Sequence, residues 1–514
     1  MSNTKTIAKN TGWFGVESAV DAILTVVSSI AIARTLGPDK MAYLIYVTWI
    51  SSVVSGVGAL GLPTTTRKYM AEYLGMGDKG TARFIYIRTF WLQLAMATIA
   101  TAGLAVWVLR DAAGEYKVAA LLIVLSIWPY MINLISSQAN VAAEEMARNF
   151  PASAISMLIY FTMIGLTIFV FHWGVIGVGA SMLAMRLADF AIRFFPTMGR
   201  ILSWPHEHTQ PEGLRERMVT FAWQSVAILL LEMVVWQRSE FVLLKHFNKD
   251  IRQIAFYSVA FSMAERLLIT ASIFGSAAGA TIFAQYGRDK SRLPEITASS
   301  FRYLALTTIP LHFIAASLAA PALLILYGDK YAGAAAVITI APILCMPKAF
   351  LVPIRSLLQS HERQGLVIGA TIVAGIVDLS VAAYLVREHG AVGACIGSGA
   401  AEVTCVGGMW LMGILLYKVR LPWLLIGKVV LISTLASLSA HYVAIQFAPI
   451  WGVLLGGTTS VAVLVTLFYL YRVLKPEDEA RFTTVTKSLP KPVSGPVNKF
   501  LGILCRPAFA LNAE

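Results

Sequence analysis

Charge is scarce in this chain. Asp, Glu, Lys and Arg make up 13% of its 514 residues, where a soluble domain carries about 25%, and that deficit excludes an ordinary water-soluble fold. Long polar connections are missing as well. The stretches between apolar segments rarely exceed ~20 residues, so almost nothing is left to fold in water. The four cysteines, Cys345, Cys395, Cys405 and Cys505, show neither metal nor redox spacing. Three lie in apolar stretches and read as small buried hydrophobes. No Walker A sequence, HExxH or GxSxG occurs, which removes support for an ATPase or a familiar hydrolase. One match to the dinucleotide fingerprint, Gly56-Val-Gly58-Ala-Leu-Gly61, sits in an apolar stretch with no strand before it. It reads as a site of close helix packing.

What is present is apolar length. Hydrophobic residues make up 57% of the chain and the mean hydropathy is +0.70. A membrane-spanning helix needs ~20 mostly apolar residues, and about 14 such stretches run from near residue 12 to residue 472. The fold class is therefore all-α and polytopic. The expected spans are 12–33, 41–62, 84–109, 118–140, 150–172, 174–195, 218–237, 253–275, 300–327, 333–357, 365–386, 390–417, 422–447 and 450–472. Ser276–Phe283 either lengthens the eighth helix or leaves it, and the turn near Trp173 is tight. Pro129, Pro342 and Pro347 fall inside spans, where each frees a carbonyl and kinks its helix. Ala31-Ile-Ala33 mimics a signal-peptidase site, but Glu17 and Asp21 interrupt the apolar region, so 12–33 is expected to be a retained helix.

The net charge of +13 does not indicate nucleic acid, since no aromatic–basic platform lies outside the spans. It follows from topology. With the N-terminus inside, inner segments hold about 25 Lys and Arg and outer loops about 10, so both termini are expected in the cytoplasm. The outer Arg238–Arg252 segment is basic against this trend, and reads either as a topology error or as a cationic mouth.

The chain carries an internal repeat. Tyr43 follows RTLGPDKMA, and Tyr257 follows KHFNKDIRQIAF at the matching place. AEYLGMGDK (71–79) corresponds to AQYGRDK (284–290), and Gly12-Trp13 echoes Ala222-Trp223. Each copy would hold about six helices, and an even number gives parallel repeats, a transporter arrangement with the path between lobes. The expected organisation is a lobe over 1–210, a second over 211–420, two further helices over 421–474, and a tail over 475–514.

SSIAIARTLGPDKMAYLIYV, GALGLPTTTRKYMAEYLGMGD and QRSEFVLLKHFNKDIRQIAFYSVAFSMAERL resemble the lobe openings of bacterial polysaccharide transporters. These belong to the multidrug/oligosaccharidyl-lipid/polysaccharide superfamily, and the branch is that of O-antigen and exopolysaccharide repeat-unit flippases. Leu44 departs from the small residue usual after the first loop's aromatic. The resemblance implies a bacterial inner-membrane protein that moves an undecaprenyl-diphosphate-linked oligosaccharide from the inner to the outer leaflet. Implied partners are that lipid, H+ or Na+, membrane lipids, and polysaccharide polymerase and assembly proteins; no cofactor is expected.

Ionisable groups at bilayer depth cost at least ~2.5–3.5 kcal/mol, so each is a candidate for function. Glu17 and Asp21, spaced i, i+4, share one helix face and suit a proton or Na+ site, or else lie solvated near a helix end. Arg186, Asp189 and Arg193 share a face of the sixth helix. Asp189 can pair with either arginine. The remaining cation then suits a diphosphate, or Arg193 reaches the inner headgroups while Arg186 and Asp189 form a structural pair. The expected substrate-binding set is Arg186, Arg238, Arg266 and Lys348; the expected ion-coupling set is Glu17, Asp21, Glu232 and Asp378. Glu265, Glu402, Arg88 and Lys428 complete the buried charges.

The reading is a flippase working by alternating access, coupled to an ion gradient. Within the same fold the alternatives are a peptidoglycan-precursor flippase and a multidrug exporter. From another class the alternative is a membrane polymerase or ligase, which would need a sizeable outer loop; the longest here, Arg238–Arg252, is roughly 15 residues.

Overall fold

The computed structural model describes residues 2–111, 114–206, 212–236 and 239–474, with side chains from residue 24 onward except positions 111, 228, 234, 277, 280, 284 and 287. Among the described residues the chain is helical throughout, with no strand. The first half holds α1 (Ser2–Gly58), α2 (Leu62–Gly75), α3 (Lys79–Asp111), α4 (Gly114–Leu125), α5 (Ile127–Ala142), α6 (Phe150–Ile164) and α7 (Gly174–Leu202). The second holds α8 (Leu214–Trp236), α9 (Glu240–Phe247), α10 (Arg252–Arg288), α11 (Leu293–Tyr327), α12 (Ala335–Cys345), α13 (Leu351–Ser360) and α14 (Gln364–Tyr417). Then follow α15 (Trp423–Ala444) and α16 (Pro449–Leu470).

Eleven helical segments among the described residues are long and apolar enough to cross a membrane. Two of them lie in helices too long for one crossing. A continuous helix of 54 residues, the length of α14, would reach ~80 Å against a hydrocarbon core of ~30 Å. Both long helices are broken by a glycine in a conformation that other residues rarely adopt: Gly37 in α1 (φ 77°, ψ 173°) and Gly390 in α14 (φ 52°, ψ −125°). Pro38, directly after Gly37, reinforces the first break because it has no N–H to give to a helix. With these two helices divided and α8 occupying the expected span 218–237, the fourteen spans read from the sequence are all present.

Proline acts where the sequence places it. Pro129 lies in the first turn of α5, just after α4 ends at Leu125. Pro347 opens a 3-10 turn, Met346–Phe350, between α12 and α13. Pro342 is carried inside α12. The eighth span does lengthen through Ser276–Phe283, since α10 runs to Arg288. At the tight turn, His172 and Gly174 both take positive φ, after a π-helical end, Gly165–Val170, to the fifth span.

Two connections are more structured than expected. The connection after the second span contains α2, which buries Leu62, Thr65, Thr66, Tyr69, Met70 and Tyr73 along one side. The segment expected as an outer loop, Arg238–Arg252, instead contains α9, which buries Glu240, Phe241 and Leu244. Its lone apolar run is shorter than a span, so hydropathy alone reads it as a connection.

The chain forms two compact units, Met1–Gln237 with Asp250–Ala255, and Arg238–Lys249 with Phe256–Glu514. The division between these units falls after α8. The reason is local: Arg217 of α8 pairs with Glu72 of α2 at 2.9 Å, and Lys68 of α2 lies 3.9 Å from the ring centre of Phe221 on α8. The pair α15–α16 belongs to the second unit, where Ser437 donates to the Phe313 carbonyl of α11 at 2.9 Å. The tail 475–514 lies outside the described residues.

The segments GDK and RDK that mark the repeat do the same local work. Asp78 accepts from the backbone N–H of Thr81 (2.8 Å) and its hydroxyl (2.6 Å) at the start of α3. Asp289 accepts from the N–H (3.0 Å) and hydroxyl (2.6 Å) of Ser291 just before α11. The Ser291 hydroxyl and N–H hold the Asp289 carboxyl below the usual carboxylate range.

Candidate functional site

The first unit contains a cavity of about 430 Å³ lined by α5, α6 and α7 together with Thr25 of α1. Its walls are mixed: Tyr130, Asn133 and Ser137 from α5, Ser153, Met157 and Tyr160 from α6, and Arg186, Asp189 and Arg193 from α7. The i, i+3, i+7 spacing read from the sequence does place these three charges on one side of α7, facing the same space.

Asp189 pairs with Arg193. The Arg193 guanidinium donates to Asp189 Oδ1 through Nη2 (2.7 Å) and Nε (3.2 Å). Its other donors go to the hydroxyls of Ser137 (3.1 Å) and Ser153 (2.9 Å). Asn133 Nδ2 donates to the second carboxylate oxygen of Asp189 at 2.6 Å. Both side chains are buried, at 8% and 13% exposure, so Arg193 does not reach towards headgroups. A buried pair of this kind is tolerated because the surrounding hydroxyls and amide satisfy the remaining donors and acceptors.

Arg186 is left as the uncommitted cation of the cavity. No carboxylate pairs with it among the described residues. Its guanidinium lies 4.2 Å from the ring centre of Tyr130, a cation–π contact, and its N–H groups make no hydrogen bond among the described residues. Arg186 also stands well inside its helix, ~18 Å along the axis from Gly174.

Among its described residues the second unit buries three carboxylates. Asp378 (1% exposed) and Glu240 (2%) lie within hydrogen-bonding reach of each other, with Ser239 donating to Asp378 Oδ2 at 3.2 Å. Glu402 (1% exposed) accepts the backbone N–H of Lys348 in the 3-10 turn. The Lys348 ammonium is 3.1 Å from Glu265 Oε1. Sequence reading found Asp378 and missed its partner Glu240, because Glu240 sits in the segment taken for a loop. Its signal was the apolar run Phe241–Leu244 directly after it.

Lys348 is committed to carboxylates rather than open to an anion. Arg266 is exposed on α10, with no ion pair among the described residues, and its neighbour Glu265 pairs with Lys348 instead. Glu232 is half-buried on α8, in the first unit. Arg238 and the side chains of Glu17 and Asp21 lie outside the described residues. No group of three or more His, Cys, Asp or Glu among the described residues is placed to hold a metal ion.

Comparison with known proteins places this geometry in context. The model of a family described as polysaccharide biosynthesis protein matches residues 79–336, half of the chain. A multidrug resistance MATE family transporter of the MOP superfamily, in an inward-facing conformation, superposes with a TM-score of 0.65 at 14% identity, over 78% of this chain and 95% of its own. The lipid II flippase MurJ in an inward closed conformation superposes with a TM-score of 0.67 at 12% identity, over 89% and 98%. A MOP superfamily transporter from Pyrococcus furiosus gives 0.54 at 14% identity, over 80% and 96%. No curated protein matches the sequence. At these identities the likeness concerns the fold, which is that of the MOP superfamily.

Proposed function

From the premise that the chain belongs to the polysaccharide biosynthesis protein family and carries the fold of MOP transporters, we propose that it flips an undecaprenyl-diphosphate-linked oligosaccharide from the inner to the outer leaflet. The fold is one of multi-pass transporters and flippases, not of enzymes. Arg186 carries the reading. A guanidinium without a carboxylate partner, held deep in a helix and walled by hydroxyls and tyrosines, suits a diphosphate next to sugar. Its N–H groups make no hydrogen bond among the described residues and so remain for phosphate oxygens.

Alternating access between inner- and outer-facing states would move the headgroup while the prenyl tail stays in lipid. Arg266 and Arg238 remain candidates for further phosphate contacts; Lys348 serves better as the counter-ion of Glu265 and Glu402. The Glu240–Asp378 pair is the candidate for coupling to a proton or Na+, with Glu17 and Asp21 as a second candidate pair. On this reading the protein works in the bacterial inner membrane with both termini cytoplasmic, beside a polysaccharide polymerase.

Deletion of the gene tests this. The expected result is lipid-linked repeat units retained in the cytoplasmic leaflet and loss of the matching surface polysaccharide. Unpolymerised units displayed outside would favour a polymerase instead. Retention of a peptidoglycan precursor would move the reading to that substrate on the same site.

A further inference from the structure

Within the first unit, α2 is held against α8 near both of its ends. Before its first turn, Gly61 takes positive φ (65°), and a Cβ there would come 2.5 Å from the Ala222 carbonyl oxygen and 3.0 Å from the Ser225 side chain. Only glycine lets the two segments meet so closely. In its last turn, Glu72 accepts from Arg217 of α8 through both carboxylate oxygens, at 2.9 and 3.1 Å. Beside these contacts the two helices, with Gly213, line a cavity of about 390 Å³, within the ~300–1,000 Å³ range of small-molecule sites. Tyr69 and Phe221, edge to face with ring centres 6.0 Å apart, give it an apolar wall.

Two charges lining this cavity are uncommitted. The Lys68 ammonium lies 3.9 Å from the ring centre of Phe221 and 5.0 Å from that of Tyr69, and it makes no hydrogen bond or ion pair among the described residues. Glu216 lines the same cavity and likewise pairs with none of them, Lys68 included. Arg217, the remaining charge, is neutralised by Glu72. Thr220 and Gln224 add a hydroxyl and an amide whose side chains also make no hydrogen bond among the described residues. Glu216, Thr220 and Gln224 follow at i, i+4 and i+8 and so share one face of α8.

An uncommitted cation and an uncommitted carboxylate facing one cavity are the complement of a zwitterion. A plain anion would satisfy Lys68 and meet Glu216 as a like charge, and a plain cation would meet Lys68 in the same way. Val219 and Trp223, next to Thr220 and Gln224 on α8, are exposed and apolar, and the span expected from the sequence begins at residue 218. A ligand with acyl chains can lay them there. We propose that this cavity binds the headgroup of a phosphoethanolamine lipid. Its phosphate takes the Lys68 ammonium with Thr220 and Gln224 as further donors, and its own ammonium donates to Glu216. Because Lys68 belongs to α2 and Glu216 to α8, the bound headgroup bridges the two helices and adds to the contacts made by Gly61 and Arg217. The site shares no lining residue with the Arg186 cavity and does not depend on the flippase reading.

The full-length protein, delipidated in detergent, is titrated with phosphatidylethanolamine, phosphatidylglycerol or phosphatidylcholine, and bound lipid is followed by native mass spectrometry. Wild type is expected to bind phosphatidylethanolamine saturably and more tightly than the other two. Phosphatidylglycerol brings no cation to Glu216, and phosphatidylcholine brings a cation without an N–H. Glu216→Gln should weaken phosphatidylethanolamine about tenfold, the loss of one charge-assisted contact, and leave phosphatidylglycerol unchanged or tighter. Lys68→Gln should weaken both lipids, whereas Lys68→Arg should retain most of the affinity. Lys68 and Glu216 are exposed, so these variants should keep the wild-type melting temperature without lipid. Wild-type affinity for phosphatidylethanolamine in both Glu216→Gln and Lys68→Gln overturns the site. Tighter wild-type binding of phosphatidylglycerol, unmoved by Glu216→Gln, overturns the zwitterion in favour of an anionic lipid. Equally strong binding of glycerophosphoethanolamine, which has no chains, overturns the lipid in favour of a small soluble zwitterion.

Discussion

Asp189 is bound to Arg193, four residues further along α7, and not to Arg186, three residues before it. That choice separates two arginines that share a helix face. One is structural, bound to Asp189, Ser137 and Ser153; the other lines the cavity, and its N–H groups make no hydrogen bond among the described residues.

Replacing Arg186 is therefore expected to act on transport. Arg186→Ala should leave membrane abundance near wild type and lower surface polysaccharide at least tenfold, about the loss of one charge-assisted contact. Arg186→Lys keeps the charge and loses the fork, so it should retain part of the activity. Abundance by immunoblot and polysaccharide by gel, measured on the same cells, check both.

Asp189→Ala is expected to act on folding. It leaves Arg193 charged, buried and without its carboxylate, at a cost of about 3–5 kcal/mol. The purified variant should melt well below wild type in detergent and accumulate poorly in membranes. A normal melting temperature would mean that Ser137 and Ser153 alone satisfy Arg193.

Lys348 and Arg266 should behave differently from each other. Lys348→Ala removes the counter-charge of Glu265 and faces the buried Glu402, so abundance should fall. Arg266 is exposed and without an ion pair among the described residues, so Arg266→Ala should keep wild-type abundance and lower flipping less than Arg186→Ala. Equal abundance for the two variants would contradict this.

The topology is checked by single cysteines at exposed positions. Met76 (68% exposed) lies between α2 and α3, and Trp173 (49%) lies between α6 and α7. With the N-terminus inside, Met76→Cys should react with an impermeant maleimide only after permeabilisation, and Trp173→Cys in intact cells. The reverse pattern would invert the orientation.

The number, order and approximate limits of the spans were legible in the sequence, because apolar length is a local property and a bilayer imposes ~20 residues on every helix that crosses it. Proline positions foretold the breaks at Pro129 and Pro347, since a missing N–H acts on its own turn. The charged face of α7 was legible too, because helical periodicity alone brings Arg186, Asp189 and Arg193 to one side.

Which groups are partners was decided only by tertiary packing. Ser137 and Ser153, from two other helices, converge on Arg193 and claim it for Asp189. Glu240 becomes a buried acid only because α9 packs beside the α14 hairpin, and Lys348 becomes a counter-ion only because α10 and α14 bring Glu265 and Glu402 to the 3-10 turn. Sequence alone determined that this chain lives in the membrane as a bundle of helices and which charges had to be explained there. Partner choice was beyond it, because a hydrogen bond reaches about 3 Å, and which side chains come that close across helices depends on how the helices pack.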